Sequence, residues 1–307
     1  MLLNNRLYML RRGGVDEVPE RDATGRDYLA LITELLQRAR LASAEAGLWE
    51  AGDLQWWWRR DQHVEPGNAR FWIDEAGLPF GAVIVTEYRD NVGLDVIAMP
   101  DATELADTAL WPYALDRMTR LADVSIEIAV RDDDVATATV LGDAGFTIVD
   151  PAAMSCWMRA GERSAVPQIA AGYRLMSTAQ RSADPHHMAA RNGPHVAARL
   201  QECSLYRPEL DLYIEGPDGD VAGYGLFWAD PITGVGLVEP MRTEDRHQHK
   251  GLGKHLLCAG LERLAMHGCT RLKVTYLEGN EPSRLLYVGS GFHPRTASRT
   301  YRRTTAS

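Results

Sequence analysis

The stretch that most constrains this chain is Val238 to Gly253, VEPMRTEDRHQHKGLG. A run of small and β-preferring residues, Thr233-Gly-Val-Gly-Leu-Val238, leads into it and reads as a strand. Arg242 to Lys250 forms a polar, basic turn. From Gly251-Leu252-Gly253 onward, Leu252, Leu256 and Leu264 recur at multiples of four, with Leu257, Leu261 and Ala265 beside them. One face of a helix is therefore apolar. A strand that delivers a glycine turn to a helix N-terminus makes an anion site. Its unpaired amides point outward, the helix dipole favours negative charge, and glycine admits a ligand close to the backbone.

Spacing decides which anion fits. A P-loop requires a glycine where Gln248 stands and a Ser or Thr where His255 stands. A dinucleotide fingerprint requires Gly or Ala where Leu256 stands. What remains is Gln248-x-x-Gly251-x-Gly253, which resembles the (Gln/Arg)-x-x-Gly-x-(Gly/Ala) signature of the GNAT superfamily of acetyltransferases. Further on, Leu272 to Leu277 reads as a strand, and Asn280 to Phe292 follows it. That segment resembles the superfamily's second signature at Asn280, Ser283, Leu286, Tyr287, Gly291 and Phe292. The two motifs stand in the right order, and the resemblance covers residues 170–303.

The resemblance implies an α/β fold, a mostly antiparallel mixed sheet flanked by helices, and acetyl-CoA as the acyl-donor cosubstrate. It places the pyrophosphate on the amides of Gln248, His249, Lys250, Gly251, Leu252 and Gly253, with Arg246, His249, Lys250 and Lys254 adding positive charge. The pantetheine arm would run along Met241, Arg242 and Thr243, where a strand of this family splays from its neighbour. Asn280 would meet that arm or an ordered water, with Ser283 beside it. Tyr287 matches a tyrosine that protonates the departing thiolate; a phenol of pKa about 10 keeps its proton at neutral pH. Glu239 is the candidate base. It stands two residues from the commoner glutamate position, on the same face of the strand, and water alone serves many family members.

A repeat runs through the chain. Phe71–Gly77 and Phe80–Thr86 read as a hairpin, and Tyr213–Glu215 and Val221–Trp228 as another. Gly77 and Gly81 return as Gly219 and Gly223, and Gly145-Phe146 returns as Gly291-Phe292. Offsets this constant argue for two copies of one domain rather than one large sheet. Residues 1–160 form a degenerate copy, residues 161–172 a linker, and residues 173–307 the catalytic copy. In the first copy the matching helix start, Pro100-Asp101-Ala102-Thr103-Glu104, is expected to be capped by carboxylates, which repel a pyrophosphate. Leu141 stands where the second copy has Tyr287, and it cannot move a proton. The first copy is therefore expected to serve packing and one wall of the substrate cleft.

The remaining features weigh against other classes. A net charge of −9 argues against nucleic acid and suits an amine-bearing acceptor. Cys156, Cys203, Cys258 and Cys269 show no metal spacing and read as buried free thiols in a reducing cytoplasm. No run is long enough to span a membrane, and MLLNNRLYMLRR is not a signal peptide. Leu7–Leu10 reads as a first strand, Asp27–Ala46 as a long helix, and Glu104–Leu121 as another. Trp56-Trp57-Trp58 sits in a polar stretch and cannot share one helical face. These tryptophans are expected to complete the N-terminal core, with one or two at a pocket rim or domain interface. His186-His187 is expected at the surface, no metal is expected, and Tyr206-Arg207-Pro208-Glu209 is a candidate wall of the acceptor cleft. Arg295, Arg299, Arg302 and Arg303 alternate with smaller residues as in a closing strand. The expected reaction is direct transfer of an acetyl or short acyl group to a primary amine of a small molecule. Two alternatives remain: a cysteinyl-sugar acceptor, as in the tandem mycothiol synthases, and a non-catalytic acyl-CoA sensor or partner-binding module. Homodimer formation is left open.

Overall fold

A computed structural model of the chain describes residues 18–45, 47–59, 68–88, 91–121, 123–181 and 185–304. The strand expected at Leu7–Leu10 lies outside them. The N-terminal half runs β1 (Glu20–Asp22), α1 (Gly25–Ala42), α2 (Ala51–Trp57), β2 (Ala69–Ile73), β3 (Pro79–Glu87) and β4 (Asn91–Ala98). It continues through α3 (Thr103–Leu105), a π-turn at Ala106–Leu110, α4 (Trp111–Arg120), β5 (Ser125–Arg131), α5 (Val135–Asp143) and β6 (Thr147–Arg159). The C-terminal half runs β7 (Arg174–Ser177), α6 (Ala189–Asn192), α7 (Val196–Glu202), β8 (Asp211–Glu215), β9 (Val221–Ala229) and β10 (Val235–Thr243). It ends with α8 (Leu252–Met266), β11 (Arg271–Leu277), α9 (Glu281–Val288) and β12 (His293–Arg303). The helix expected over Glu104–Leu121 is thus widened by a π-turn where Pro112, which has no N–H to donate, enters the ladder.

The twelve strands among the described residues join in one sheet, ordered β1-β2-β3-β4-β5-β12-β6-β11-β10-β9-β8-β7. Its pairs are antiparallel except β4–β5 and β10–β11. The expectation of two copies rather than one large sheet needs correcting: a repeated architecture and a single sheet coexist. The last strand of each half crosses to the other, so that β12 pairs with β5 and β6 with β11. This exchange leaves no open edge between the halves, and it makes the arginine-rich β12 a central strand.

The repeat is visible in the register. Asn91 faces Ser125 in β4–β5 as Val235 faces Arg271 in β10–β11, and in both pairs the parallel ladder stops after three or four residues. Beyond that point the strands separate, so Asp95 and Glu239 occupy matching positions four residues into each strand.

One buried cluster joins the halves. It unites Leu54, Trp56 and Trp58 around α2 with Val196 and Leu200 of α7 and Trp228 and Leu237 of β9 and β10. The three tryptophans belong to α2 and its C-terminal cap, a helix the sequence pattern does not show. Because α2 lies between two layers of protein, Trp56 and Trp58 are both buried although they point differently. Trp58 donates its indole N–H to Glu202 at 2.7 Å, across the halves. Gly52 meets Trp228 so closely that a Cβ there would lie 2.9 Å from the tryptophan side chain.

Candidate active site

The site forms where β10 leaves β11. Ladder bonds end at Val238 and Val274, and the β9–β10 register shifts between Val238 and Met241, around Pro240. A proline offers no N–H, so the strand bulges there and opens toward β11. Met241 and Thr243 line one side of the opening. A Cβ on Gly253 would lie 3.3 Å from the Thr243 hydroxyl and 3.8 Å from the Met241 methyl, so the start of α8 closes onto this strand end.

The loop feeding α8 is held from below. His247 is buried, its Nε2 2.9 Å from Asp220 and its Nδ1 3.1 Å from the Tyr173 hydroxyl. Arg246 pairs with the same Asp220. Lys250 donates to Tyr173 at 3.0 Å and lies over its ring. Gln248 donates to the Thr243 carbonyl at 3.3 Å. This scaffold of Tyr173, Asp220 and His247 escapes the sequence reading, because its members meet only through the fold. Gly251 is the N-cap, in the left-handed region at φ 75°, and no side chain caps α8. Its first-turn amides are therefore free to meet an anion. Arg242 spends its charge on Glu244 and Asp245, whereas His249 and Lys254 are exposed.

Asn280 is the N-cap of α9, its Oδ1 accepting from the Ser283 amide at 3.2 Å. Tyr287 is buried, its ring 6.5 Å from Tyr276 and 6.3 Å from Phe292. Burial, and then the charge of Glu239, push its phenol above the ordinary tyrosine pKa. Glu239 in turn is pushed up to about 7 by burial and by the nearby carboxylate of Asp53, with Arg59 partly opposing. The charge of Glu239 thus reaches Tyr287 although the two are far apart in sequence. Glu239 keeps part of its surface in solvent, which gives protons a way in and out.

Asp53 is a member of the site that the sequence does not signal. It belongs to α2 of the N-terminal half, accepts from the Glu50 amide at 2.7 Å, and titrates near 6 because of its burial. Arg59, at the end of α2, stacks on Trp56 and donates to Asn192 at 2.9 Å. The N-terminal half therefore contributes Asp53 and Arg59 to the charge environment of Glu239. Its own counterpart of the site is different: Asp95 is bonded by the Trp49 indole and Leu141 is buried. The helix start expected to be capped by carboxylates is instead capped by Ala102, with no side-chain bond, although Asp101 and Glu104 flank it.

Other expectations are corrected. His186 and His187 are not at the surface; both are buried against Asp211, their Nε2 atoms 3.0 Å from its two carboxylate oxygens. The Met188 amide donates to His186 Nδ1, so His186 Nε2 carries the proton that meets Asp211. Burial raises the pKa of Asp211, but the close approach of His186 and His187 outweighs it and holds the carboxyl well below its ordinary range. Tyr206 also donates to Asp211, at 2.8 Å, so it belongs to this buried network. The three ligand-type groups lie within 4.8 Å of one another; His186 and Tyr206 both meet Asp211 Oδ2, whereas Asp211 Oδ1 and both ring nitrogens of His187 have no partner in hydrogen-bond geometry among the described residues.

The model of the acetyltransferase (GNAT) family matches residues 173–292. A spermine/spermidine N(1)-acetyltransferase of Bacillus subtilis is 35% identical over 96 residues, which are 30% of this chain and 62% of that protein. The chain thus spans under two thirds of that relative's length. A mycothiol acetyltransferase of Nocardioides sp. is 26% identical over 296 residues, covering 87% of this chain and 94% of that protein. A tandem GNAT protein from the clavulanic acid biosynthesis pathway shares the fold, with a TM-score of 0.66 at 16% identity, over 94% of this chain and 99% of that one. A GCN5-related N-acetyltransferase from Sphaerobacter thermophilus does so with a TM-score of 0.63 at 15% identity, over 94% and 96% of the two chains. Residues 173–292, which carry both signatures, thus match the acetyltransferase (GNAT) family, and the chain shares its fold with a tandem GNAT protein.

Proposed function

We propose that the chain transfers an acetyl or short acyl group from acetyl-CoA to a primary amine of a small molecule, by direct attack. One observation carries this reading: the ladder between β10 and β11 ends at Val238, and beside this opening Glu239, its carboxyl pushed up to about 7 by burial, adds to the burial that raises the Tyr287 phenol. Uncapped amides of α8 close the same opening. Those amides would bind the diphosphate of the coenzyme, and the backbone of Met241 to Thr243 would pair with its pantetheine arm. A main-chain N–H there would polarise the thioester carbonyl.

Glu239 would take the proton from the amine as nitrogen bonds to the carbonyl carbon. Tyr287 would give its proton to sulfur as the carbon–sulfur bond breaks. A carboxylate near pKa 7 is about half ionised at neutral pH and matches the task of a base. A phenol above its ordinary pKa stays protonated until the thiolate leaves. Buried thiols oppose the route through an acyl-cysteine. Cys156 and Cys203 are pushed up to about 12 and Cys269 to about 11 by burial, and Cys258 is raised as well. All four therefore stay protonated and unreactive.

The acceptor would approach Glu239 from the opening beside β10, where Asp53 and Glu239 offer negative charge to an ammonium group. We place residues 1–160 as the wall of this cleft, residues 161–172 as the connection and residues 173–307 as the catalytic unit. Among the described residues no helix is long and apolar enough to cross a membrane; we place the activity in the cytoplasm. A cysteinyl-sugar amine is a second acceptor reading, favoured by the near full-length similarity to a mycothiol acetyltransferase. The test is a panel of polyamines, amino sugars and a cysteinyl sugar with acetyl-CoA, followed by thiol release. Turnover with an amine supports the transferase. Saturable coenzyme binding without turnover on any amine would favour a non-catalytic acyl-CoA sensor.

A further inference from the structure

At the opposite end of β11 from the catalytic opening, a cavity of about 640 Å³ lies under the last turn of α1 and over β5, β12, β6 and β11. Six cationic side chains line it: Arg40, Arg131, Arg159, Arg271, Lys273 and Arg295. The carboxylates on its walls are Glu45 and Glu162 alone among the described residues. The local charge is strongly positive in a chain of net charge −9.

The floor of the cavity is rigid. Arg40 and Lys273 are buried and share Glu50, Arg40 through its Nε at 3.0 Å and Lys273 at 3.0 Å. Lys273 also donates to the Leu48 carbonyl. Trp157 holds the cations together, with Arg271 4.5 Å, Arg40 5.3 Å and Lys273 5.5 Å from its ring centroid. Around this floor three guanidinium groups keep capacity. Among the described residues, Arg159, Arg271 and Arg295 form no ion pair; Arg271 donates only to the Ala44 carbonyl. Burial, and then the neighbouring Arg40, hold the pKa of Arg271 below its ordinary value against the opposing carboxylates of Glu50 and Glu45.

We propose that this cavity binds a small, multiply charged oxyanion, a metabolite carrying a phosphate or diphosphate group. Its volume lies within the roughly 300–1,000 Å³ usual for small-molecule sites, and guanidinium forks bind phosphate oxygens two at a time. One buried carboxylate, Glu50, is shared by two buried cations, so the floor itself keeps a net positive charge. The unpaired arginines at the rim hold the surplus charge that a ligand would neutralise. The site is separate from the α8 amides, which stand beyond the other end of the β10–β11 ladder.

The test is calorimetric titration of inorganic pyrophosphate into the full chain saturated with coenzyme A, and into the Arg159→Ala/Arg295→Ala double variant treated alike. Both residues are exposed, so the variant keeps its core, and its unchanged melting curve without ligand verifies this. The wild type is expected to bind one pyrophosphate and to melt at a higher temperature with it; the double variant should bind at least tenfold more weakly. Matching isotherms for the two proteins, or no saturable binding to the wild type, would overturn the proposal. Because the readout is a difference between two proteins with no acyl transfer involved, it stands whether or not the transferase reading does.

Discussion

Glu239→Gln should make the protein more stable at alkaline pH while disabling it. The Glu239 carboxyl titrates near 7 rather than at the 4.5 of a free glutamate, because burial and Asp53 disfavour its charge. A carboxyl raised in this way holds its proton more tightly folded than unfolded. The folded state then loses stability as pH climbs through the interval from about 4.5 to about 7. A shift of about 2.5 units corresponds to about 3 kcal/mol. Glu239 keeps some solvent contact, so a loss of about 1–3 kcal/mol is expected. Glutamine has nearly the same shape and no charge to bury. Denaturant midpoints of the two proteins should coincide near pH 5, and the variant should lead by about 1–3 kcal/mol at pH 8.5. Turnover should fall by about 10²–10⁴-fold, the range expected for loss of a general base. A stability gap of equal size at both pH values would refute the placement of an ionising Glu239 in that cleft. Unchanged turnover would refute its role as base.

Tyr287→Phe should lower kcat about 100-fold or more and leave coenzyme affinity near normal, read by thiol release and calorimetry; an unchanged kcat would remove the phenol from the acid role. Gly251→Ala forces a side chain into the left-handed region at the N-cap of α8. It should cost about 1 kcal/mol of stability and weaken coenzyme binding; an affinity equal to wild type would show that the loop does not need this conformation. Gly52→Ala places a methyl group 2.9 Å from Trp228, so it should destabilise the fold by about 1–3 kcal/mol in thermal or denaturant melts. An unaffected melt would mean that the halves are not packed as tightly at α2 as described.

Much of the C-terminal unit was legible because its signals are local. The strand before Val238, the glycine turn at Gly251 and the apolar stripe through Leu256 and Leu264 each lie within a few residues of one another, and the structure reproduces all three. Glu239 and Tyr287 were each singled out only through family resemblance, since nothing in their spacing brings them together. Asp53 was out of reach. Its influence on Glu239 depends on α2 crossing from the N-terminal half to β9 and β10, a contact made by Gly52 against Trp228 and Leu237. The same packing hides α2, whose tryptophans are buried on several sides and leave no polar face to read. His186 and His187 looked like surface residues because their partner, Asp211, arrives only with β8. The exchange of β6 and β12 was equally invisible: an alternating strand pattern shows which face is buried but not which neighbour it will pair with.

The central claim is that main-chain donors at the start of α8 grip a diphosphate and lay a thioester along the gap between β10 and β11. Calorimetric titration of acetyl-CoA into the wild type and Gly251→Val measures it most directly. The wild type should bind one equivalent saturably, and the variant should bind at least tenfold more weakly while retaining its fold. No saturable heat with the wild type, or equal affinity for both proteins, would contradict the account.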